Sequence, residues 1–171
     1  MFDNLFSPIT INKTVIKNRI AYPSLGLMYS YDGNLNDRYF NFYVERARGG
    51  AGLVTVGPVG FDEVGSGKVI LVFDSDDKIP AYAKLASAIK KEGSRSWIQL
   101  FHAGAYSYSK FMGGPDPIAP SPIYSKYSKL VPREMTLEDI QQAQEGFVEA
   151  ARRAQEAGFD AHLVKPASWR V

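Results

Sequence analysis

The chain has 171 residues, of which 45% are hydrophobic and 22% are charged, a composition typical of one soluble globular domain. The net charge is +2 and no basic cluster stands out, so the composition gives no reason to expect nucleic acid or an anionic membrane as a partner. The lack of cysteine excludes disulfides, iron–sulfur ligation and a cysteine nucleophile, and two histidines are too few for a convincing metal site. No apolar run approaches the roughly 20 residues of a membrane span. The N-terminus does not resemble a signal peptide, so we expect a cytoplasmic protein.

The first fifty residues predict a hairpin, a strand and a helix. Residues 7–17 alternate like two short strands around an Asn-Lys turn, and a further strand from Asn18 should end at Pro23. A helix is expected from Asp37 to the Gly49-Gly50 pair. Its apolar residues recur at helical spacing: Tyr39, Phe40, Tyr43, Val44 and Ala47.

The next fifty residues predict a strand, a long connection and a second helix. Residues 52–56 are nearly all apolar, as in a strand buried on both faces of a parallel sheet. Residues 65–68 do not form a phosphate loop, because Asp62 and Val69 occupy the positions where that motif needs Gly and Ser or Thr, and a plain flexible turn is predicted. The second helix starts after Asp76-Asp77 with Pro80 in its first turn and ends at Gly93. It should bury Tyr82, Leu85, Ala86 and Ile89.

The stretch from Trp97 to Phe101 predicts a buried strand that carries one amide, Gln99. An amide in an apolar strand needs a partner, and its acceptor and two donors suit a planar heterocycle. A bond to neighbouring backbone is an equally good interpretation of the residues alone. The Pro/Gly/Tyr/Ser-rich segment from about 105 to 134 is long enough to suggest a function. Its tyrosines would form either a substrate wall or, as favoured by the residues alone, an ordinary loop: Tyr106, Tyr108, Tyr124 and Tyr127.

A third helix and a fourth strand complete the pattern. The helix has a capping-box start at Thr136 and ends at Gly158, and one face should carry Ile140, Phe147, Ala151 and Ala154. The fourth strand begins at Phe159. The order is a hairpin followed by β-α-β-α-β-α-β, which predicts a parallel sheet with helical cover, either doubly wound or barrel-like. The first strand-to-helix turn has no G-x-G-x-x-G, which disfavours a dinucleotide-binding Rossmann domain.

Several segments in order over residues 2–161 resemble the N-terminal half of the Old Yellow Enzyme family. These segments are 5–9, 16–20, 37–38, 46–53, 98–104, 118–121 and 150–160. The family comprises FMN-dependent ene-reductases and NADH:flavin oxidoreductases, including the barrel domain of dienoyl-CoA reductases. The resemblance implies an α/β fold of TIM (β/α)8-barrel lineage, here an incomplete barrel of a hairpin and about four βα units. It also implies FMN as cofactor, NAD(P)H as reductant and an enone or enoyl substrate.

The resemblance assigns cofactor-binding positions to three strand ends. Gln99 falls where the family's amide pairs with the flavin pyrimidine ring. Six further positions fall where the family lines the isoalloxazine ring: Pro23, Ser24, Leu25, Gly26, Gly57 and Pro58. Ser24 and Leu25 replace the family's usual proline and methionine, and Gly26 lacks the side chain that tunes the flavin. A small residue such as Gly57 is equally compatible with a tight turn. No catalytic residue is identified. Tyr29 is about one residue out of register with the substrate-contacting tyrosine of some family members. The His-Ala-Gly sequence that begins at His102 is followed by Ala105, where the family has Arg. Both residues are therefore only candidates for a catalytic role.

Agreement with the family stops after Ala161. We therefore predict a barrel half over residues 1–161 and a non-family tail over 162–171, as a frameshift or truncation would produce. The family's substrate-anchoring His pair, its later strands and the phosphate site are missing, so we expect no turnover by this chain alone. The alternative is a truncated, non-catalytic half-barrel or assembly partner that binds no flavin. Two open sheet edges further predict self-association or a complementary half-barrel chain.

Overall fold

A short helix and a hairpin begin the fold. The computed structural model describes residues 2–67 and 69–166. After α1 (Asp3–Phe6), β1 (Ile9–Ile11) pairs antiparallel with β2 (Thr14–Ile16). Asn12 in the turn has a φ of 53°. The predicted hairpin is therefore confirmed.

A parallel sheet forms the centre of the molecule. The remaining strands are β3 (Ala21–Tyr22), β4 (Leu53–Gly60), β5 (Leu71–Val72), β6 (Arg95–His102), β7 (Ile118–Ala119), β8 (Arg133–Glu134) and β9 (Ala161–Pro166). The sheet runs β3-β4-β6-β9 with all pairs parallel, and β5 pairs with the end of β4. Along the path β3-β4-β6-β9 the strands keep their chain order, as in a barrel wall and unlike a doubly wound sheet.

In the described residues four further α-helices accompany the sheet, and three of them are long. They are α2 (Asp37–Arg48), α3 (Glu63–Ser66), α4 (Ile79–Lys91) and α5 (Leu137–Glu156). The Asn36 side chain caps α2, and Thr136 and Asp139 form the predicted capping box of α5. Pro80 lies in the first turn of α4, where a missing N–H costs no hydrogen bond. None of the helices in the described ranges has the length and apolar character needed to cross a membrane.

The long helices cover one face of the sheet, and the other face is only half covered. Along β6, Ile98 and Leu100 are fully buried in the core that the helices share with β4. The alternate residues Trp97, Gln99 and Phe101 are only partly buried. Since successive strand residues point to opposite faces, the Gln99 side of the sheet is the inner side of an open barrel wall. Within the described residues the barrel does not close, because β3 and β9 remain at the edges.

Two packing predictions differ from the structure. Tyr82, Leu85, Ala86 and Ile89 of α4 are buried as expected, but Ile140 of α5 is 36% exposed. The other predicted residues of this face are confirmed, because Ala154 is buried and Phe147 and Ala151 pack against the core. Ala143 and Ala150 add further small buried side chains, which let the helix backbone approach closely. The expected flexible turn at residues 65–67 is also wrong. Gly65 and Ser66 belong to α3, Asp62 caps that helix, and Gly65, Ser66 and Gly67 are all buried.

The predicted domain boundary at residue 161 stays a prediction. The segment His162–Pro166 continues the sheet as part of β9. Residues 167–171 of the predicted tail lie outside the described residues.

Candidate functional site

Three of the predicted cofactor-binding segments meet at Gly57. Gly57 has a φ of +134°, a conformation that favours glycine. A Cβ at this position would lie 2.9 Å from the Gln99 carbonyl oxygen and 3.3 Å from the Ser24 hydroxyl oxygen. The Leu25 N–H also donates to the Gly57 carbonyl at 3.0 Å. The ends of β3, β4 and β6 can approach this closely only because residue 57 has no side chain.

Tyr43 fixes the backbone of Gly57 from the helical side. Its hydroxyl accepts a hydrogen bond from the Gly57 N–H at 3.0 Å and donates to the Gly57 carbonyl at 3.3 Å. Burial raises the pKa of Tyr43 well above its ordinary value, so the phenol stays neutral and keeps its donor proton. The sequence identified Tyr43 only as an apolar residue of a helix face. No local signal in the sequence indicates its polar role, because Tyr43 lies on α2 and its partner Gly57 lies on β4.

A cavity of about 1000 Å³ opens at the carboxyl ends of β4, β6 and β9. Gly26 and Pro58 line it, and Phe101 and Lys165 lie beside each other in its wall. Gln99 lies two residues before Phe101 on the same face and is not among the described residues that line the cavity. The cavity therefore begins beside the Gly57 junction and extends away from it.

The long segment after β6 supplies an aromatic wall. All four of its tyrosines line the cavity: Tyr106, Tyr108, Tyr124 and Tyr127. The Tyr127 ring lies 5.4 Å from the ring of Tyr106 and 5.4 Å from that of Tyr108, measured between centroids. The structure thus brings these side chains together around one cavity, and their contact with a substrate stays a prediction.

His102 is not among the described residues that line this cavity; it is buried and lines a smaller cavity of about 450 Å³. Its side chain is 1% exposed, Nδ1 accepts from the Gly104 N–H at 3.1 Å, and Nε2 lies 3.7 Å from a carboxylate oxygen of Asp62. Burial lowers the pKa of His102, and the carboxylate of Asp62 opposes that shift. Since Nδ1 is an acceptor, the neutral ring carries its proton on Nε2, which faces Asp62. His102 thus contacts both the segment after β4, through Asp62, and the segment after β6, through Gly104. A catalytic role for His102 stays a prediction.

Tyr29 belongs to an aromatic cluster on α2. Its ring lies 5.4 Å from Tyr39 and 5.8 Å from Phe42, and the Arg38 guanidinium carbon is 3.9 Å from its centroid. Its N–H donates to the Tyr39 hydroxyl at 3.1 Å. Tyr29 is not among the described residues that line the large cavity, and its candidacy stays a prediction.

The junction around Gly57 has the features that a flat polar ligand needs. Ser24 Oγ and Trp97 Nε1 are buried without a hydrogen-bond partner among the described residues. At Gly26, the atoms nearest to a built Cβ are 4.0 Å away in Pro58, which leaves room for a ligand against the backbone. These features are compatible with a flat polar ligand, and the assignment of Gln99 and of residues 23–26 and 57–58 to FMN stays a prediction. Within the described ranges, no group of three potential metal ligands comes together.

The fold is that of an α/β chain whose parallel sheet forms part of a barrel wall. The model of the NADH:flavin oxidoreductase / NADH oxidase family matches residues 4–167, and the chain belongs to that family. This confirms the family resemblance that the sequence motifs indicated.

Three similar proteins illustrate the match. A metal reductase of Desulforamulus reducens is 42% identical over 156 residues, which cover 91% of this chain and 23% of the reductase. The structure of a 2-naphthoyl-CoA reductase in complex with 2-naphthoyl-CoA aligns with a TM-score of 0.89 and 30% identity over 96% of this chain and 27% of that one. Old Yellow Enzyme from Pichia sp. AKU4542 aligns with a TM-score of 0.82 and 29% identity over 94% of this chain and 45% of that one. The chain therefore spans only about a quarter to a half of these relatives.

Proposed function

We propose that this chain is the flavin-holding part of an FMN-dependent oxidoreductase that uses NAD(P)H to reduce an activated C=C bond. The observation that carries the proposal is the convergence of Ser24, Gly57 and Gln99, together with the family match over residues 4–167. The proposal keeps the cytoplasmic location expected from the sequence.

Each residue has a distinct part in this proposal. FMN, when bound, supplies hydride transfer from NAD(P)H to the β-carbon of the activated alkene. Gln99 offers its amide to the polar edge of the ring, and Ser24 offers a buried hydroxyl. Gly57 and Pro58, with residues 23–26, provide the surface along which the ring lies. Tyr43 positions that surface through its two hydrogen bonds to Gly57.

The visible spectrum of the purified chain with added FMN tests the proposal. We expect saturable binding, with a shifted and structured flavin absorbance band after removal of free FMN. Gln99→Leu should weaken FMN binding about tenfold, because about 1.4 kcal/mol of hydrogen bonding is lost. The fold should be unaffected, since Gln99 is partly exposed.

Gln144→Leu is the matched control, because Gln144 is an exposed glutamine on α5. It should bind FMN as the unmodified chain does. A chain that stays colourless at high FMN concentration would support the alternative, a non-catalytic half-barrel or assembly partner. Equal FMN affinities for Gln99→Leu and Gln144→Leu would remove Gln99 from the site.

We further propose that the open edges of the sheet associate with those of a second copy. β3 and β9 are parallel edge strands, so a two-fold axis along the strands would pair β9 of one copy with β3 of the other. Leu163 and Val164 on β9 are 37% and 55% exposed. Light scattering after size exclusion should give a dimer, and a well-folded monomer at all concentrations would contradict this.

A further inference from the structure

Tyr108 and Tyr127 contact each other through both their rings and their hydroxyl groups. The ring centroids are 5.4 Å apart, and the ring planes are inclined at 56°. The Tyr108 hydroxyl donates a hydrogen bond to that of Tyr127, and this bond raises the pKa of Tyr108. The ortho carbons of a tyrosine flank the carbon that carries the hydroxyl. A hydrogen bond between the two hydroxyls therefore holds the ortho positions of the two rings close together.

Two buried serines fix the backbone on either side of Tyr108. The Ser107 hydroxyl donates to the Val64 carbonyl, and the Ser109 hydroxyl donates to the Pro115 carbonyl at 2.7 Å. Both serines are at most 1% exposed, whereas Tyr108 between them is partly exposed. These hydrogen bonds therefore hold the Tyr108 ring in place while part of it stays open to solvent.

A third buried serine fixes the position of Tyr127. The Ser128 hydroxyl donates to the Ala105 carbonyl at 2.7 Å, and the Ser128 N–H donates to Ser125 Oγ at 3.2 Å. The bond to Ala105 joins parts of the chain that are 23 residues apart and so brings Tyr127 beside Tyr108. Tyr127 itself is 56% exposed, so an oxidant in solution can reach it.

Neighbouring phenols that solvent can reach form a covalent bond when each loses one electron. Loss of an electron and of the hydroxyl proton converts a phenol into a phenoxyl radical, whose unpaired electron lies partly on the ortho carbons. Two such radicals combine through a C–C bond between ortho carbons. Each of these carbons then loses its hydrogen as a proton, and each oxygen regains one. The chain has no cysteine, so no thiol of its own competes for the oxidant or reduces the radicals.

We propose that Tyr108 and Tyr127 form an oxidative cross-linking site, at which a haem peroxidase with hydrogen peroxide joins the two rings as dityrosine. The overall reaction takes two electrons and two protons from the pair and reduces one hydrogen peroxide to two water molecules. The new bond closes the chain between residues 108 and 127 and fixes the tyrosine wall of the cavity covalently. This site goes beyond the proposed function, because the proximity of the two rings does not depend on FMN.

The test treats the purified 171-residue chain with a haem peroxidase and hydrogen peroxide. We expect the blue fluorescence of dityrosine and a product with the mass of one chain less two hydrogen atoms. The fraction of cross-linked chain should not depend on protein concentration, because the two rings already lie together in one molecule. N-acetyltyrosinamide treated in parallel shows that the oxidant is active.

Peptide mapping identifies the joined residues. Trypsin cleaves after Lys126 and Lys129 and so releases Tyr127 on a peptide of its own, separate from the peptide that contains Tyr124. We expect this short peptide to be linked to the one that ends at Lys110, with fragmentation placing the bond at Tyr108.

Variants that keep the ring and lose only the hydroxyl assign the reaction to one pair. Tyr108→Phe and Tyr127→Phe should each lower the yield of intramolecular dityrosine at least about tenfold, because the neighbouring phenol is lost. Tyr106→Phe and Tyr124→Phe are the matched controls, since these tyrosines are 45% and 54% exposed in the same wall, and both should react as the unmodified chain does. Tyr106→Phe is the sharper control, because the Tyr106 ring also lies 5.4 Å from that of Tyr127. Unchanged thermal midpoints by circular dichroism would establish that each variant is folded.

Three results would overturn the proposal: no dityrosine in the unmodified chain, cross-links only between chains, or a yield that survives Tyr108→Phe. Failure of the proposed function is scored separately by the flavin spectrum. A colourless chain that cross-links at Tyr108 and Tyr127 would refute only the flavin proposal. A yellow chain that forms no dityrosine would refute only the cross-linking site.

Discussion

The two connections that leave the carboxyl edge after β4 and β6 differ in how they are packed. The first begins with a short segment, residues 61–67, which contains α3 and buries Phe61, Gly65, Ser66 and Gly67. The second, residues 103–134, carries exposed tyrosines and walls a cavity of about 1000 Å³. The carboxyl edge of the sheet thus combines a closely packed segment, residues 61–67, with an open, cavity-lining segment, residues 103–134.

The short connection supports the start of the long one. The Ala103 N–H donates to the Gly65 carbonyl at 2.9 Å, and the Ser107 hydroxyl donates to the Val64 carbonyl. At the other end, β7 and β8 pair, and the Met135 N–H donates to the Ala119 carbonyl at 2.9 Å. The cavity wall is thus anchored at both ends, which is how a long loop can present side chains in fixed positions.

A side chain added at a glycine of the short connection should lower the free energy of unfolding far more than one added in the long connection. A Cβ at Gly65 would lie 2.6 Å from His102 Cδ2 and 2.8 Å from Asp62 Oδ1. Gly65→Ala should therefore lower the free energy of unfolding by about 3 kcal/mol, as overpacked core positions do. Gly113→Ala, in the long connection, meets no atom within 4 Å and carries only the strain of a φ of +75°. Gly113→Ala should lower the free energy of unfolding by about 1 kcal/mol, as measured by urea denaturation. Equal losses would show that the two connections are packed alike.

Loss of one hydrogen bond between the connections should have an intermediate effect. Ser107→Ala removes the donor to Val64 and the acceptor of the Ser109 N–H, which lies 3.1 Å from Ser107 Oγ. The buried groups left behind should cost about 1–2 kcal/mol of unfolding free energy. Ser121→Ala, at the cavity wall, is the control and should change stability by less than about 0.5 kcal/mol. A neutral Ser107→Ala would mean that the long connection does not depend on the short one.

The smallest effect should be a pH dependence that arises from His102. Because burial lowers its pKa in the folded state, the unfolded chain takes up the proton first as pH falls below about 6.5. The stabilising contribution is complete above that pH and is lost as pH falls toward the folded-state pKa. His102→Gln should make the decline of stability between about pH 6.5 and 5 shallower, as measured by urea denaturation at each pH. His162→Gln removes the exposed histidine of β9 and serves as control. An unchanged slope in His102→Gln would contradict the buried, neutral ring.

The sequence by itself determined the three long helices, the alternation of strands and helices, and the family. The cap residues Asn36 and Thr136, the proline at position 80 and the apolar spacing of α4 are local signals, and each corresponds to an observed feature. The stretch around Gln99 predicts a buried strand, and β6 is a strand, although Trp97, Gln99 and Phe101 in it are only partly buried. These features depend on neighbours within a few residues, which a sequence displays directly.

Only the tertiary structure decided which distant groups meet. Gly65 belongs to a buried helical turn because its surroundings come from β6, about forty residues later, and not from its own segment. Tyr43 and Gly57, fourteen residues apart, share two hydrogen bonds that no periodicity predicts. Lys165 faces Phe101 through strand register, and the tyrosines gain a cavity to line because both ends of their loop are anchored. Side-chain contacts across strands depend on register and on loop anchoring, and neither is encoded in local pattern.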